Sequence, residues 1–231
     1  EQARRTRCMS NMRQIGVALA AYQNEYERTP PKTQSVFDYA SPTARDNVLK
    51  LLRPMLSTAG PEVATPVYVC PSLKDHPNPE YAPTRTSRTG YLANAVLLGR
   101  RVTSIRNPGR MIVMQEGWSL SNHLWVQPEP IVRTDDVLSG KVRTQYREWN
   151  MFAGAGNHVS YPTRGRTEHT ANVHKGGGGF IYADGHADFR KYDDRESGDH
   201  GLIDPTLKTS VAYEPTWENA NMPPDPAFQA V

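Results

Sequence analysis

No run of this chain approaches the roughly 18 apolar residues that a membrane-crossing helix needs, and its opening, from Glu1, is polar and arginine-rich rather than the apolar core of a signal peptide. The chain as it stands therefore reads as soluble. Cysteine is scarce: Cys8 and Cys70 are the only two. They allow one disulfide without requiring it, and they exclude both a disulfide framework and a CxxC metal pattern. Apolar residues are also thin, at 37% with a mean hydropathy of -0.66, and 19 prolines and 17 glycines break up regular structure. Those figures predict a modest core carrying long loops. No excess of one charge sign marks the whole, since 27 basic residues stand against 24 acidic ones. The local exception is Arg4, Arg5, Arg7 and Arg13, faced only by Glu1. A nucleic-acid arm would interleave aromatics and lead into a reading motif. Neither follows, so the arginines read as a charged helix surface and no nucleic-acid partner is expected.

What is present begins with a helix. Cys8, Met12, Ile15, Leu19, Tyr22 and Tyr26 recur every three or four residues and share one helical face. Arg7, Asn11, Gln14 and Gln23 occupy the other face, and Pro30-Pro31 sets the limit of the helix. Because the pattern is already helical at Glu1, a helix that begins upstream is expected. A second amphipathic segment, "ARDNVLKLLRPML", places Val48, Leu51, Leu52 and Met55 on one side, with Asp46 in its first turn. Residues 61–90 read as a proline- and threonine-rich loop with one short strand, Val67 to Cys70. "YLANAVLL", the apolar "RMIVMQEG" and "HLWVQPEP" are candidate strands, the last ended by its prolines. Residues 139–175 carry few periodic signals. In "GGFIYADGHADFRKY" apolar residues alternate on both sides of Asp184-Gly185, which predicts a hairpin with a type I′ turn.

The stretch "HKGGGGFIYADGH", His174 to His186, poses the functional question. A phosphate loop needs its lysine after the glycines and a helix beyond them. Here Lys175 precedes the glycines and a strand follows. A dinucleotide site fails for want of the same helix N-terminus. There is no Gly-x-Ser-x-Gly elbow and no His-Glu-x-x-His pair. Cys8 lies on the buried helix face and Cys70 precedes a proline in a packed segment, which is not the setting of an activated thiol. The expectation is a protein that is not an enzyme. Metal remains open. His169, His174 and His186 are near in sequence, and Asp193, Asp194, Glu196 and Asp199 offer the oxygen ligands of a structural calcium without matching an EF-hand.

His174, nine intervening residues, then Asp184-Gly185 resembles the signature of the prepilin-type, processing-associated H-X9-DG proteins. "ARRTRCMSNMRQIGVALAAYQNEY" is similar to the segment that follows that family's membrane helix. Arg4, Cys8, Asn11, Gln14, Ile15, Gly16, Leu19 and Tyr22 carry the match. "YVCPS" (Tyr68 to Ser72) resembles its Cys-Pro element. "GYLANA" resembles its Ser-Tyr-x-x-Asn element, with Tyr91 and Asn94 in place and Gly90 where the serine stands. Residues 120–165 have no counterpart.

The resemblance implies an α+β, pilin-like fold: a long N-terminal amphipathic helix packed on an antiparallel β-sheet, with long loop insertions. It implies one head domain over 1–231, made of the helix (1–28), an α/β head (29–213) and a proline-rich tail (214–231). It also implies a type II secretion pseudopilin or type IV pilus-like subunit that is anchored by an upstream apolar helix, with its head periplasmic or extracellular. Its partners would then be other pilin-like subunits, the inner-membrane assembly platform and the prepilin peptidase. His174 would fasten to Asp184 or to backbone near the turn, with Gly185 turning the hairpin. An oxidising compartment favours a Cys8–Cys70 disulfide, closing a loop of about 60 residues at roughly 4 kcal/mol; the alternative is two buried thiols. A rival reading is a pilin-anchored binding module stacking sugars on Trp118, Trp125, Trp149 or Trp217.

Overall fold

The computed structural model describes residues 1–32, 47–56, 66–76, 79, 82–131, 143–148, 173–175, 177–191 and 197–201, with backbone alone at 118, 126–131, 143–148 and 197–198. Its first element, α1, runs Gln2–Tyr26 and ends at Glu27, whose left-handed φ of 56° lets its N–H reach back to Gln23. The turn therefore closes the helix three residues before the prolines arrive. Cys8, Met12, Ile15 and Leu19 are fully buried, the last three each worth roughly 1.5–3 kcal/mol on leaving water. The buried face is broader than the apolar pattern. Met9, Gly16, Ala18, Gln23 and Asn11 are inside as well, while Tyr26 is 49% exposed. Asn11 is drawn in because its Nδ2 donates to the Val69 carbonyl at 3.1 Å, a partner that periodicity cannot see.

Helix α2 is a single turn and a half, Val48–Leu52, continued as a 3-10 turn over Arg53–Leu56. Asn47 is its N-cap, accepting the Lys50 N–H at 2.9 Å. Val48, Leu49 and Leu52 face the core, so Leu49 takes the inward place expected of Leu51. Asp46 lies outside the described residues. Pro66–Tyr68 is a 3-10 turn rather than the start of a strand, with the Tyr68 hydroxyl donating to the Leu49 carbonyl at 2.6 Å.

Six strands follow: β1 (Thr89–Asn94), β2 (Ile112–Ser121), β3 (Trp125–Ile131), β4 (Arg143–Glu148), β5 (Gly177–Tyr182) and β6 (Ala187–Lys191). They form one sheet in the order β4-β3-β1-β2-β5-β6. The fold is α+β, with α1 packed on the sheet over β5 and β6. Every pairing is antiparallel except β1 with β3, which run parallel through Ala93–Trp125 and Asn94–Val126. The apolar "RMIVMQEG" run is central, as its composition demands, because both of its faces are covered. β3 continues through Pro128 and Pro130 rather than ending at them. Two prolines two residues apart remove N–H groups from one side of a strand only. Here that is the side β1 leaves uncovered beyond Val126, while the other side pairs with β4. β4 falls within the span that carries few periodic signals.

The hairpin of β5 and β6 is present, but Asp184 keeps a negative φ and only Gly185 is left-handed, at 87°. Gly185 N–H bonds the Tyr182 carbonyl and Tyr182 N–H bonds His186, which makes a three-residue loop closed by a left-handed glycine rather than a type I′ turn.

Candidate functional site

Strand β5 sits against α1 along its glycine face. A Cβ at Gly179 would lie 2.2 Å from the Met12 sulfur and 3.0 Å from that of Met9. A Cβ at Gly16 would lie 2.1 Å from the Gly185 carbonyl oxygen. The glycines are thus where helix and sheet backbones meet, and Phe180 and Tyr182 point to the opposite face, into a second apolar cluster with Ile112. His174 stands at one end of β5 and Gly185 at the other. They meet Glu1 and Gly16 respectively. From Glu1 to Gly16 the helix rises ~22 Å, and the six residues of β5 span ~20 Å. The nine-residue spacing is the length of chain that connects those two seats.

It follows that His174 bonds neither to Asp184 nor to backbone near the turn, the two partners expected of it, because the strand holds it at the far end of β5. Asp184 instead accepts from His186, at 3.1 Å from its backbone N–H and 2.6 Å from its ring Nδ1. His174 is 2% exposed. Its backbone N–H donates to the Gly177 carbonyl at 3.0 Å, which closes the lead-in to β5. Its Nδ1 lies 2.7 Å from Glu1 Oε1 and its Nε2 lies 3.2 Å from Glu116 Oε1. Glu116, wholly buried on β2, uses its other oxygen to accept the Gly179 N–H at 3.1 Å. Burial works to lower the His174 pKa. The hydrogen bonds and charges of Glu116 and Glu1 outweigh it, and the net effect is upward. The same His174 bond holds the Glu1 carboxyl below its ordinary value.

Beside this pair lies the disulfide. Cys8 of α1 is bonded to Cys70, 62 positions along the sequence, with Cα atoms 5.0 Å apart. Cys70 Sγ is 4.0 Å from His174 Nε2. Tyr91 stands by, its hydroxyl donating to the Cys8 carbonyl at 3.4 Å. Asn94 joins three segments: Nδ2 donates to the carbonyls of Ile112 at 2.8 Å and His200 at 3.1 Å, and Oδ1 accepts the Val96 N–H. An open groove of about 520 Å³ runs along the helix start beside the cluster, lined by Arg5, Arg13 and Lys175 together with Glu1 and His174 of the cluster itself. Cys8, Asn11, Gly16, Cys70, Tyr91, Asn94, His174 and Gly185 are therefore engaged in joining elements, whereas Gln14 bonds within α1 and Asp184 within its own turn. Glu116, Glu1 and Gly179 were missed, because no local pattern links a strand glutamate to a histidine 58 residues on.

The other candidates part ways. Asp199 is 1% exposed and its two carboxylate oxygens take Arg110 at 2.6 Å and Arg190 at 3.0 Å. An aspartate neutralised by two guanidinium groups is a poor calcium ligand. Asp193, Asp194 and Glu196 lie outside the described residues, as do His169, Trp149, Trp217 and the side chain of Trp118. Trp125 is 0% exposed and belongs to the core, with the Lys32 ammonium 4.7 Å from its ring centre. No ring face is left there for a sugar.

A helix-on-sheet α+β protein whose motif residues serve as internal fasteners is the class that fold and site define. Residues 1–48 of the chain match the model of a family described as a protein of unknown function (DUF1559), a family of the H-X9-DG type. The match covers α1 and the residues just after it, the part that carries the Cys8 and Gly16 contacts. No curated protein and no solved structure matches the chain.

Proposed function

We propose that this chain is the head of a non-catalytic, pilin- or pseudopilin-like subunit that works by assembling into an envelope filament of a type II secretion or type IV pilus-like system. The observation that carries this reading is the seating of α1. One face of the helix is locked to the β5–β6 hairpin loop by the Gly16–Gly185 backbone contact and to the segment after the Pro66–Tyr68 turn by the Cys8–Cys70 bond. Residues 1–7 are exposed throughout and include Arg4, Arg5 and Arg7. A helix pinned to its head along one side and open on the other is suited to side-by-side packing of copies. No helix among the described residues is long and apolar enough to cross a membrane, so the reading requires an apolar helix upstream of Glu1. The buried, mutually satisfied polar cluster supports a structural rather than a catalytic role, since His174 presents no free ring nitrogen to a substrate.

The test is the N-terminal mass spectrum of the protein isolated from its native cell envelope. A processed, N-methylated first residue followed by about 20 apolar residues running into Glu1 is the expected result. A chain cut by ordinary signal peptidase close to Glu1 would lack an assembly helix and would overturn the reading.

A further inference from the structure

The surroundings of the disulfide contain more polar chemistry than a disulfide uses. One ligand atom each from Cys8, Cys70, Glu116 and His174 lie within 4.8 Å of one another, and all four residues are buried. We propose that the chain in its dithiol form holds one zinc-type divalent metal ion at this position, and that the metal and the Cys8–Cys70 disulfide are alternative occupants of it.

The donor set is of the right kind. Two thiolates, one imidazole and one carboxylate make a closed four-coordinate site of the sort that suits zinc, whose neighbouring ligand atoms stand roughly 3.2–3.8 Å apart. His174 Nε2 is already 3.2 Å from Glu116 Oε1 and 4.0 Å from Cys70 Sγ. Once the S–S bond is broken, side-chain rotation is enough to take the two sulfurs to that spacing. The outer hydrogen bonds are stronger support. A metal-bound histidine characteristically gives its other ring N–H to a carboxylate, and metal-bound carboxylates are themselves hydrogen-bonded. Here His174 Nδ1 is held by Glu1 at 2.7 Å, and Glu116 Oε2 takes the Gly179 N–H at 3.1 Å. Nε2 and Oε1, now 3.2 Å from each other, are left within 4.8 Å of the sulfurs. The four ligands come from α1, the segment after the Pro66–Tyr68 turn, β2 and the lead-in to β5, so a metal there would join the same pieces as the disulfide.

The chemistry balances without a hidden reactant. Binding of a divalent ion displaces one proton from each thiol, plus the Nε2 proton if His174 is charged, and transfers no electron. Oxidation by an external disulfide forms the Cys8–Cys70 bond from the two bound thiolates, releases the ion and reduces that disulfide to two thiolates, which take up two protons from water to become thiols. The chain would then hold metal before oxidation and be metal-free after it.

The experiment is a cobalt(II) titration of the full chain, prepared once as the dithiol and once as the disulfide, followed by zinc(II) displacement. The dithiol form is expected to bind one ion per chain with a thiolate-to-cobalt charge-transfer band, and the disulfide form none. Glu1→Gln is expected to weaken binding about 10- to 100-fold, and Glu116→Gln, which removes a direct ligand, by at least as much. Absence of the band in the dithiol chain, or equal affinity in Glu116→Gln, overturns the proposal. X-ray absorption of the zinc-loaded, unsubstituted chain decides the same point should a variant not fold. Two sulfurs with two nitrogen or oxygen neighbours support the site, and any other shell overturns it.

Discussion

Gly16→Ala ought to stabilise a helix and should here do the opposite. In an exposed helix interior the change is worth about 1 kcal/mol in favour of alanine. At residue 16 the new Cβ would lie 2.1 Å from the Gly185 carbonyl oxygen, 3.2 Å from its carbon and 3.4 Å from Ile181 Cγ2. The nearest atom is backbone on a hairpin whose own position is fixed by the β5–β6 ladder, so it cannot swing away as a side chain would. Overpacking of this kind costs about 1–3 kcal/mol, and a backbone-on-backbone collision belongs at the upper end. Setting ~3 kcal/mol against the ~1 kcal/mol helical gain leaves a net loss near 2 kcal/mol. For a chain of this size that lowers Tm by about 4–8 °C. Differential scanning calorimetry of the oxidised protein would measure it, with Val17→Ala on the exposed side as the helix-propensity control. A Gly16→Ala protein as stable as the parent, or more so, would refute the claim that α1 and the hairpin meet at this residue.

Removing the disulfide as Cys8→Ala/Cys70→Ala should cost about 4 kcal/mol for a closed loop of this length, read as a shift in the urea midpoint of the purified chain. Gly185→Ala should also destabilise, by about 2 kcal/mol or more, because it combines a φ of 87° with a Cβ 2.8 Å from the Gly16 carbonyl. In a double-mutant cycle with Gly16→Ala the two should be non-additive, and simple additivity would argue against a shared contact. Lys32, half-buried by Trp125, has its pKa pushed down by burial to about 8. Its charge therefore opposes folding fully below pH 8, and the penalty is relieved as pH rises toward the unfolded value near 10.5. Lys32→Met should gain roughly 1–3 kcal/mol at pH 7 and lose that advantage by pH 10.5 in urea titrations across the range; a gain independent of pH would assign the effect to packing instead.

Much of the fold could be read from the chain alone, for local reasons. The three-four spacing of Cys8, Met12, Ile15 and Leu19 requires a helix with one buried face, whatever it packs on. The apolar run from Met111 to Met114 can only be a covered strand, and Ala-Asp-Gly between alternating segments can only turn. The same kind of local argument excludes a phosphate loop, because the order of lysine, glycines and strand is wrong for one.

Partners distant in sequence were decided by tertiary structure. Asn11 and Gln23 look like surface residues on a helical wheel, yet they are buried where the broad helix face meets the core and the 66–70 segment. Trp125 looks like a stacking platform and is a core residue under Lys32. The His-x9-Asp-Gly spacing reads as a bond between its own ends. Because a strand holds its ends ~20 Å apart, each end instead finds a partner on α1, Glu1 for the histidine and Gly16 for the glycine. Local spacing determined that there would be a helix, a glycine strand and a turn. Only the packing of that helix along that strand, where backbone atoms come close enough to exclude a single methyl group, decided which residues the motif serves.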